Sequence, residues 1–139
     1  MIDHVEDMLR THPEGGGPTD LPTLAAAIRA CHDGAAACAS CADACVAEAD
    51  VAMLRKCIRL NLSCASICIT TGDVLARSFQ PDHTVLRALL GACAAACAAC
   101  AAECERHAGR MAHCRICADA CRACERACND ELSRIPAVM

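Results

Sequence analysis

Cysteine recurs every three or four residues through most of this chain. One run reads Cys93, Cys97, Cys100, Cys104 and, past Gly109, Cys114, Cys117, Cys121, Cys124 and Cys128. Two earlier runs carry Cys31, Cys38, Cys41 and Cys45, then Cys57, Cys64 and Cys68. Steps of three and four mark one face of a helix. At about 100° per residue, thiols 93–104 fall within roughly 60° of arc and thiols 114–128 within roughly 80°. A packed helix usually places Leu, Ile or Val there. The predicted interior is therefore made of sulfur.

Thiolate is a soft ligand that selects Cu(I), Zn(II) and iron–sulfur clusters. Structural zinc sites gather four ligands from loops and knuckles, and iron–sulfur sites likewise draw on loop cysteines. Here the Cys-x3-Cys steps at 41/45, 64/68, 93/97, 100/104, 117/121 and 124/128 all fall on predicted helices. Each such pair can hold a two-coordinate ion along its own helix, and each thiolate can bridge to an ion on a facing helix. Low coordination number and thiolate bridging suit Cu(I). Loading is also nearly charge-neutral, because each Cu⁺ displaces one thiol proton and needs no buried counter-ion. The capacity expected is on the order of the thiol count, against roughly a quarter of it for unbridged tetrahedral zinc.

Weaker soft donors cluster at one predicted end of the molecule. Met53 stands one turn before Cys57, His107 three residues after Cys104, and Met111 and His113 just before Cys114. Thioether and imidazole bind Cu(I) less tightly than thiolate does, so they suit a mouth through which ions pass. Asn61 shares the thiol face four residues after Cys57, as a ligand or gate or as an ordinary buried amide. Gly34, between Cys31 and Cys38, either leaves room in the interior at a helix cost of about 1 kcal/mol or is a neutral position of no consequence. At the other end Leu24, Ile28, Leu75, Leu86, Leu90 and Leu132 form an apolar plug. His4, His12, His32 and His83 lie off the thiol arc and receive no role.

The elements that must position these side chains follow from start and stop signals. Residues 1–12 form a short amphipathic helix with Ile2, Val5 and Leu9 on one side, and the Pro13–Pro18 stretch is a linker. Helix A is expected from about Asp20, an N-cap with Pro22 in the first turn, to about Glu48. Helix B is expected from Asp50 to about Ser78. Helix C runs from about His83, capped by Asp82, to His107, where Gly109 takes the C′ position. Helix D continues to about Arg134. Four long helices with short connections make an all-α, antiparallel up-down four-helix bundle. Residues 1–19 are read as an N-terminal segment and residues 20–135 as a metal-storing bundle domain. Helix B also carries a second apolar stripe, Val51, Leu54, Ile58, Leu62 and Ile69, which a bundle does not need to bury and which fits a subunit interface.

Composition bounds the remainder. The chain has 139 residues, 16 Cys, no Trp or Tyr and one Phe. A core of Ala and Cys buries little apolar area, so a metal or oligomerisation is expected to add stability. A net charge of −4 and the lack of a basic patch argue against nucleic acid. The first residues lack a signal-peptide pattern, and no uncharged stretch reaches the length of a bilayer span. A reducing cytoplasm is the expected compartment, and there disulfides are disfavoured. Thiols at i,i+3 and i,i+4 also hold their Cβ atoms about 5–6 Å apart, more than the roughly 3.5–4.5 Å of a disulfide.

Three other functions compete with Cu(I) binding. A metallothionein-like Zn(II) or Cd(II) buffer uses the same ligands. A thiol oxidoreductase needs one distinctive low-pKa pair, and none stands out here. A di-iron oxidase needs Glu-x-x-His motifs, whereas Glu103 and His107 are four apart with no partner set.

The runs Cys100-Ala-Ala-Glu-Cys104-Glu-Arg-His107 and His113-Cys114-Arg-Ile-Cys117-Ala-Asp-Ala-Cys121-Arg-Ala-Cys124-Glu-Arg-Ala-Cys128 resemble the copper storage protein (Csp) family in its cytosolic branch. The likeness extends over about residues 20–134. It implies a homotetramer of four-helix bundles, each storing many Cu(I) ions along its axis. It also implies that His107 and His113 line the mouth, where Met53 and Met111 modify the family pattern.

Overall fold

The structure, a computed structural model, describes residues 3–14 and 20–137. Among these residues there is no strand. The helices are α1 (His4–Arg10), α2 (Leu21–Ala47), α3 (Arg55–Leu75), α4 (His83–His107) and α5 (Ala112–Leu132), with a 3-10 turn at Val51–Leu54.

Local chemistry fixes most of the boundaries. Asp20 Oδ1 accepts the Thr23 amide at 3.0 Å, and Asp82 Oδ1 accepts the Val85 amide at 3.0 Å, so both predicted N-caps form. Two termini differ from expectation. Helix B does not start at Asp50, whose side chain caps nothing; the chain first makes the 3-10 turn and becomes α-helical at Arg55. Gly109 lies just beyond the α4 cap residue Ala108, but its φ is not left-handed. The turn closes instead through the Arg110 and Met111 amides, which donate to the His107 carbonyl at 3.1 and 3.0 Å.

Helix α2 packs on α3 and α5, and α4 packs on the same two, while the diagonal pairs stay apart. This is a four-cornered up-and-down bundle. The 48–54 and 108–111 connections lie at one end. The 76–82 connection, the start of α2 and the end of α5 lie at the other. Helix α4 is long and apolar enough to cross a membrane by length and composition, a property that counting uncharged residues alone had passed over. Its apolarity comes from Ala and Cys, and its thiol edge is turned into the bundle.

The plug forms at the second end: Leu24, Ile28, Leu75, Leu86 and Leu90 are buried, with Leu132 packed on their margin. Burying each such side chain stabilises the fold by roughly 1.5–3 kcal/mol relative to exposure. Helix α1 lies against α2. Its Leu9 is buried and Val5 packs beside it, whereas Ile2 and most of the Gly-rich segment fall outside the described residues. The His12 ring stacks on Phe79 at 3.8 Å, and Arg29 reaches Asp3 at 2.6 Å, tying this helix to the bundle.

Candidate metal centre

All sixteen cysteines are buried and free. Each helix contributes one ladder, and the four ladders converge on the axis. At the plugged end Cys31, Cys93, Cys124 and Cys128 form one group; Cys68, Cys93, Cys97 and Cys124 form the next, sharing two members with it. Cys38, Cys100, Cys117 and Cys121 gather at mid-height. Cys41, Cys104 and Cys117 follow, then Cys41, Cys45, Cys57 and Cys114. Cys64 joins the lower and middle groups: its sulfur lies 3.7 Å from both Cys68 and Cys97, and the nearby Cys100 and Cys38 thiols help to lower its pKa. Shared members make these groups one continuous column.

The sulfur spacings decide what the column can hold. Neighbouring Sγ atoms range from 3.4 Å (Cys38–Cys121) through 3.7 Å (Cys31–Cys128, Cys57–Cys104) to 4.0 Å (Cys41–Cys114, Cys124–Cys128). With metal–sulfur bonds of about 2.3 Å, thiolates around a three- or four-coordinate ion sit about 3.8–4.0 Å apart, and two in line about 4.6 Å. Most of these pairs therefore already have the separation of bridging ligands, and a rotamer change opens a pair to linear coordination.

Burial raises the cost of ionising a thiol without a metal. It pushes Cys45 up to about 11, with the Cys41 charge adding to the effect. The same causes raise Cys114. Cys41 runs the other way: its bond with Cys104 raises it, but those with Cys117, Cys57 and His113 outweigh that. Burial favours the protonated thiol at positions such as Cys45 and Cys114, and there an arriving ion must replace the proton.

A family model described as copper storage protein (Csp) matches residues 22–133. The chain belongs to the copper storage protein family. It is similar to the solved copper storage protein Ccsp of Streptomyces lividans loaded with 10 copper equivalents. That likeness is 50% identity over 93% of this chain and 98% of that one, with a TM-score of 0.89. A second structure, of copper loading with five coppers to a cytosolic copper storage protein of the same organism, shares 51% identity over 81% of this chain and 93% of that one, TM-score 0.79. Comparison with curated proteins gives no match.

Within this copper storage bundle the other predicted site residues fall into two sets. Asn61 is fully buried and fills the place of a further rung on the α3 ladder, with Oδ1 3.0 Å from Cys100 Sγ, 3.3 Å from Cys117 Sγ and 3.7 Å from Cys104 Sγ. His113 points Nδ1 at Cys41 Sγ (3.5 Å) and Cys114 Sγ (3.6 Å). Its pKa is raised, since hydrogen bonds to Cys41 and Glu48 outweigh the lowering effect of burial. Met111 Sδ lies 4.0 Å from Cys114 Sγ, at the rim. His107 is buried, but its Nε2 pairs with Glu103 Oε2 at 3.1 Å, and it stands outside the thiol groups.

Met53 is not on the inner face. It is 57% exposed, and Leu54 is buried beside it. The tighter 3-10 turn advances by about 120° per residue in place of 100°, so the phase extrapolated back from Cys57 fails. The same rotation removes Leu54 from the outward stripe, leaving Val51, Leu62 and Ile69 exposed and Ile58 half-buried.

Three residues assigned no site role from the sequence make contacts that matter. His32 Nε2 donates to Asp73 Oδ1 (3.0 Å), and the ring lies across Gly72, where a Cβ would come within 2.6 Å of Nε2. This contact locks α2 to α3. Glu48 and Glu103 carry the carboxylates paired with His113 and His107. Glu103 had a local signal, four residues before His107. Glu48 had none, being 65 residues from its partner.

Proposed function

We propose that this chain is a cytosolic Cu(I) store, in keeping with its family, and that it holds many ions on its sixteen cysteine thiolates inside the bundle. The observation that carries the reading is the unbroken column of free, buried sulfurs at bridging separations, which no loop-built zinc site resembles. Residues 20–135 act as the storing unit and residues 1–19 as an appended segment. His113, with Met111 at the rim, receives ions at the end bearing the 48–54 and 108–111 connections, and the leucine plug closes the other. His107 serves the same mouth from its place against Glu103. Asn61 acts on the ions midway along the column. The role involves sequestration without catalytic turnover. The bundle works as a homotetramer, with Val51 of the 3-10 turn and Ile58, Leu62 and Ile69 of α3 at the interface.

Anaerobic titration of the reduced apo-protein tests the storage reading. About one Cu(I) per thiol is expected. Saturation near four Zn(II) with weak Cu(I) binding would instead favour a zinc buffer.

A further inference from the structure

Helix α2 ends at Glu48, whose ψ of 148° takes the backbone out of the helix. Its side chain crosses to the start of α5, where Oε2 meets His113 Nε2 at 2.7 Å. A carboxylate only accepts hydrogen bonds, so Nε2 must carry the proton. In the neutral imidazole Nδ1 is then a bare lone pair. That lone pair faces Cys41 Sγ at 3.5 Å and Cys114 Sγ at 3.6 Å. An ion bound to one nitrogen at about 2.0 Å and one sulfur at about 2.3 Å, with trigonal to tetrahedral angles, separates the two atoms by about 3.5–3.7 Å. The lone pair and the two sulfurs are thus already set for a shared ion. Glu103 holds His107 through the same nitrogen.

We propose that Glu48 is a positioning residue for copper loading: by fixing His113 as the Nε2–H tautomer, it aims Nδ1 at the outermost thiols. Glu48 itself does not touch the ion. Carboxylate-braced imidazoles are the general form of a metal-ligating histidine, and losing the brace typically costs about 10–100-fold. The inference rests on the storage reading above and on loading from this end.

The test compares the full-length parent chain with Glu48→Ala and Glu48→Gln, all reduced and anaerobic, with folding checked by circular dichroism. Gln keeps a carbonyl acceptor for Nε2–H but removes the charge. Long-range ¹⁵N–¹H correlation of the apo-protein reads the His113 tautomer, assigned with His113→Ala. Stopped-flow transfer from a chromophoric Cu(I)–chelator complex reads uptake rate and final capacity. The expected result is a mixed tautomer and about tenfold slower uptake in Glu48→Ala, parent-like behaviour in Glu48→Gln, and equal capacity in all. An unchanged tautomer in Glu48→Ala, or an unchanged rate despite a changed tautomer, would overturn the proposal. So would a Glu48→Gln variant as slow as Glu48→Ala, since charge would then carry the effect. A parent chain that fails to approach one Cu(I) per thiol would strike the storage reading instead, and the tautomer measurement would still decide the part played by Glu48.

Discussion

The Cys100 thiol donates to Asn61 Oδ1 at 3.0 Å, in the middle of the sulfur column. An amide carries both an acceptor and a donor. It can accept from Cys100 and Cys117 while they are protonated, and its Nδ2, 3.7 Å from Cys57 Sγ, can donate to thiolate once metal replaces the protons. Asn61→Leu keeps the volume and removes both functions. Apo stability should change by no more than about 1 kcal/mol, because the amide and its partners lose only modest net hydrogen bonds. Chelator competition should show weaker Cu(I) binding, by about tenfold, for the ions at this level. Denaturant unfolding and competition titration together check the split.

Gly34 leaves the space of one methyl group beside the column. A Cβ there would lie 3.5 Å from Cys124 Cβ and 3.7 Å from the sulfurs of Cys124 and Cys68, which is ordinary contact. Gly34→Ala should therefore fit the apo-protein and stabilise helix α2 by up to about 1 kcal/mol. Once ions sit on Cys68 and Cys124 the methyl competes with them for volume. The expected outcome is a higher apo melting temperature with fewer Cu(I) bound at saturation. Equal capacity would show that the glycine has no part in storage.

Copper must displace thiol protons, and burial holds Cys45 near 11 and raises Cys114. His113, also raised, must lose any proton before Nδ1 can bind. Both demands have the same sign: lower pH strengthens the competing proton and weakens Cu(I) binding. Dye-detected titration in weak buffer should record about one proton released per Cu(I). Affinity should fall by about tenfold for each pH unit and each proton displaced.

Glu131 has a buried Oε1 with no hydrogen-bond partner among the described residues, and burial raises its pKa, helped by Asp20 and opposed by Arg134. The folded chain therefore holds this proton more tightly than the unfolded chain. Between the ordinary value of 4.5 and the raised one, stability must fall as pH increases. Glu131→Gln should melt higher than the parent apo-protein at neutral pH. The gap should close as pH drops below the ordinary carboxylate value, where both carry a neutral side chain. Thermal unfolding across that range tests the sign.

The α3 stripe leaves Leu62 54% and Ile69 45% exposed on an otherwise polar helix face. If this face holds the proposed tetramer together, Leu62→Glu with Ile69→Glu should give monomers by light scattering, with each chain's Cu(I) capacity retained.

Much of this molecule was readable before any fold was known, because the information is local. Thiols at steps of three and four define a helix face through neighbouring residues alone, so the α2, α4 and α5 ladders, the caps at Asp20 and Asp82, and the affinity of so many soft ligands for Cu(I) all followed. A local rule failed where the backbone changed its pitch. The 3-10 turn before α3 put Met53 in water and Leu54 in the core, and no spacing argument registers a change from 100° to about 120° per residue.

The sequence by itself thus determined that the interior is lined with sulfur and which metal chemistry that favours. Only the tertiary structure decided which thiols share a group, such as Cys31 with Cys128, and that Glu48 would brace His113. Those pairings depend on how four helices are rotated and staggered against one another, and periodicity within any single helix is silent about its neighbours.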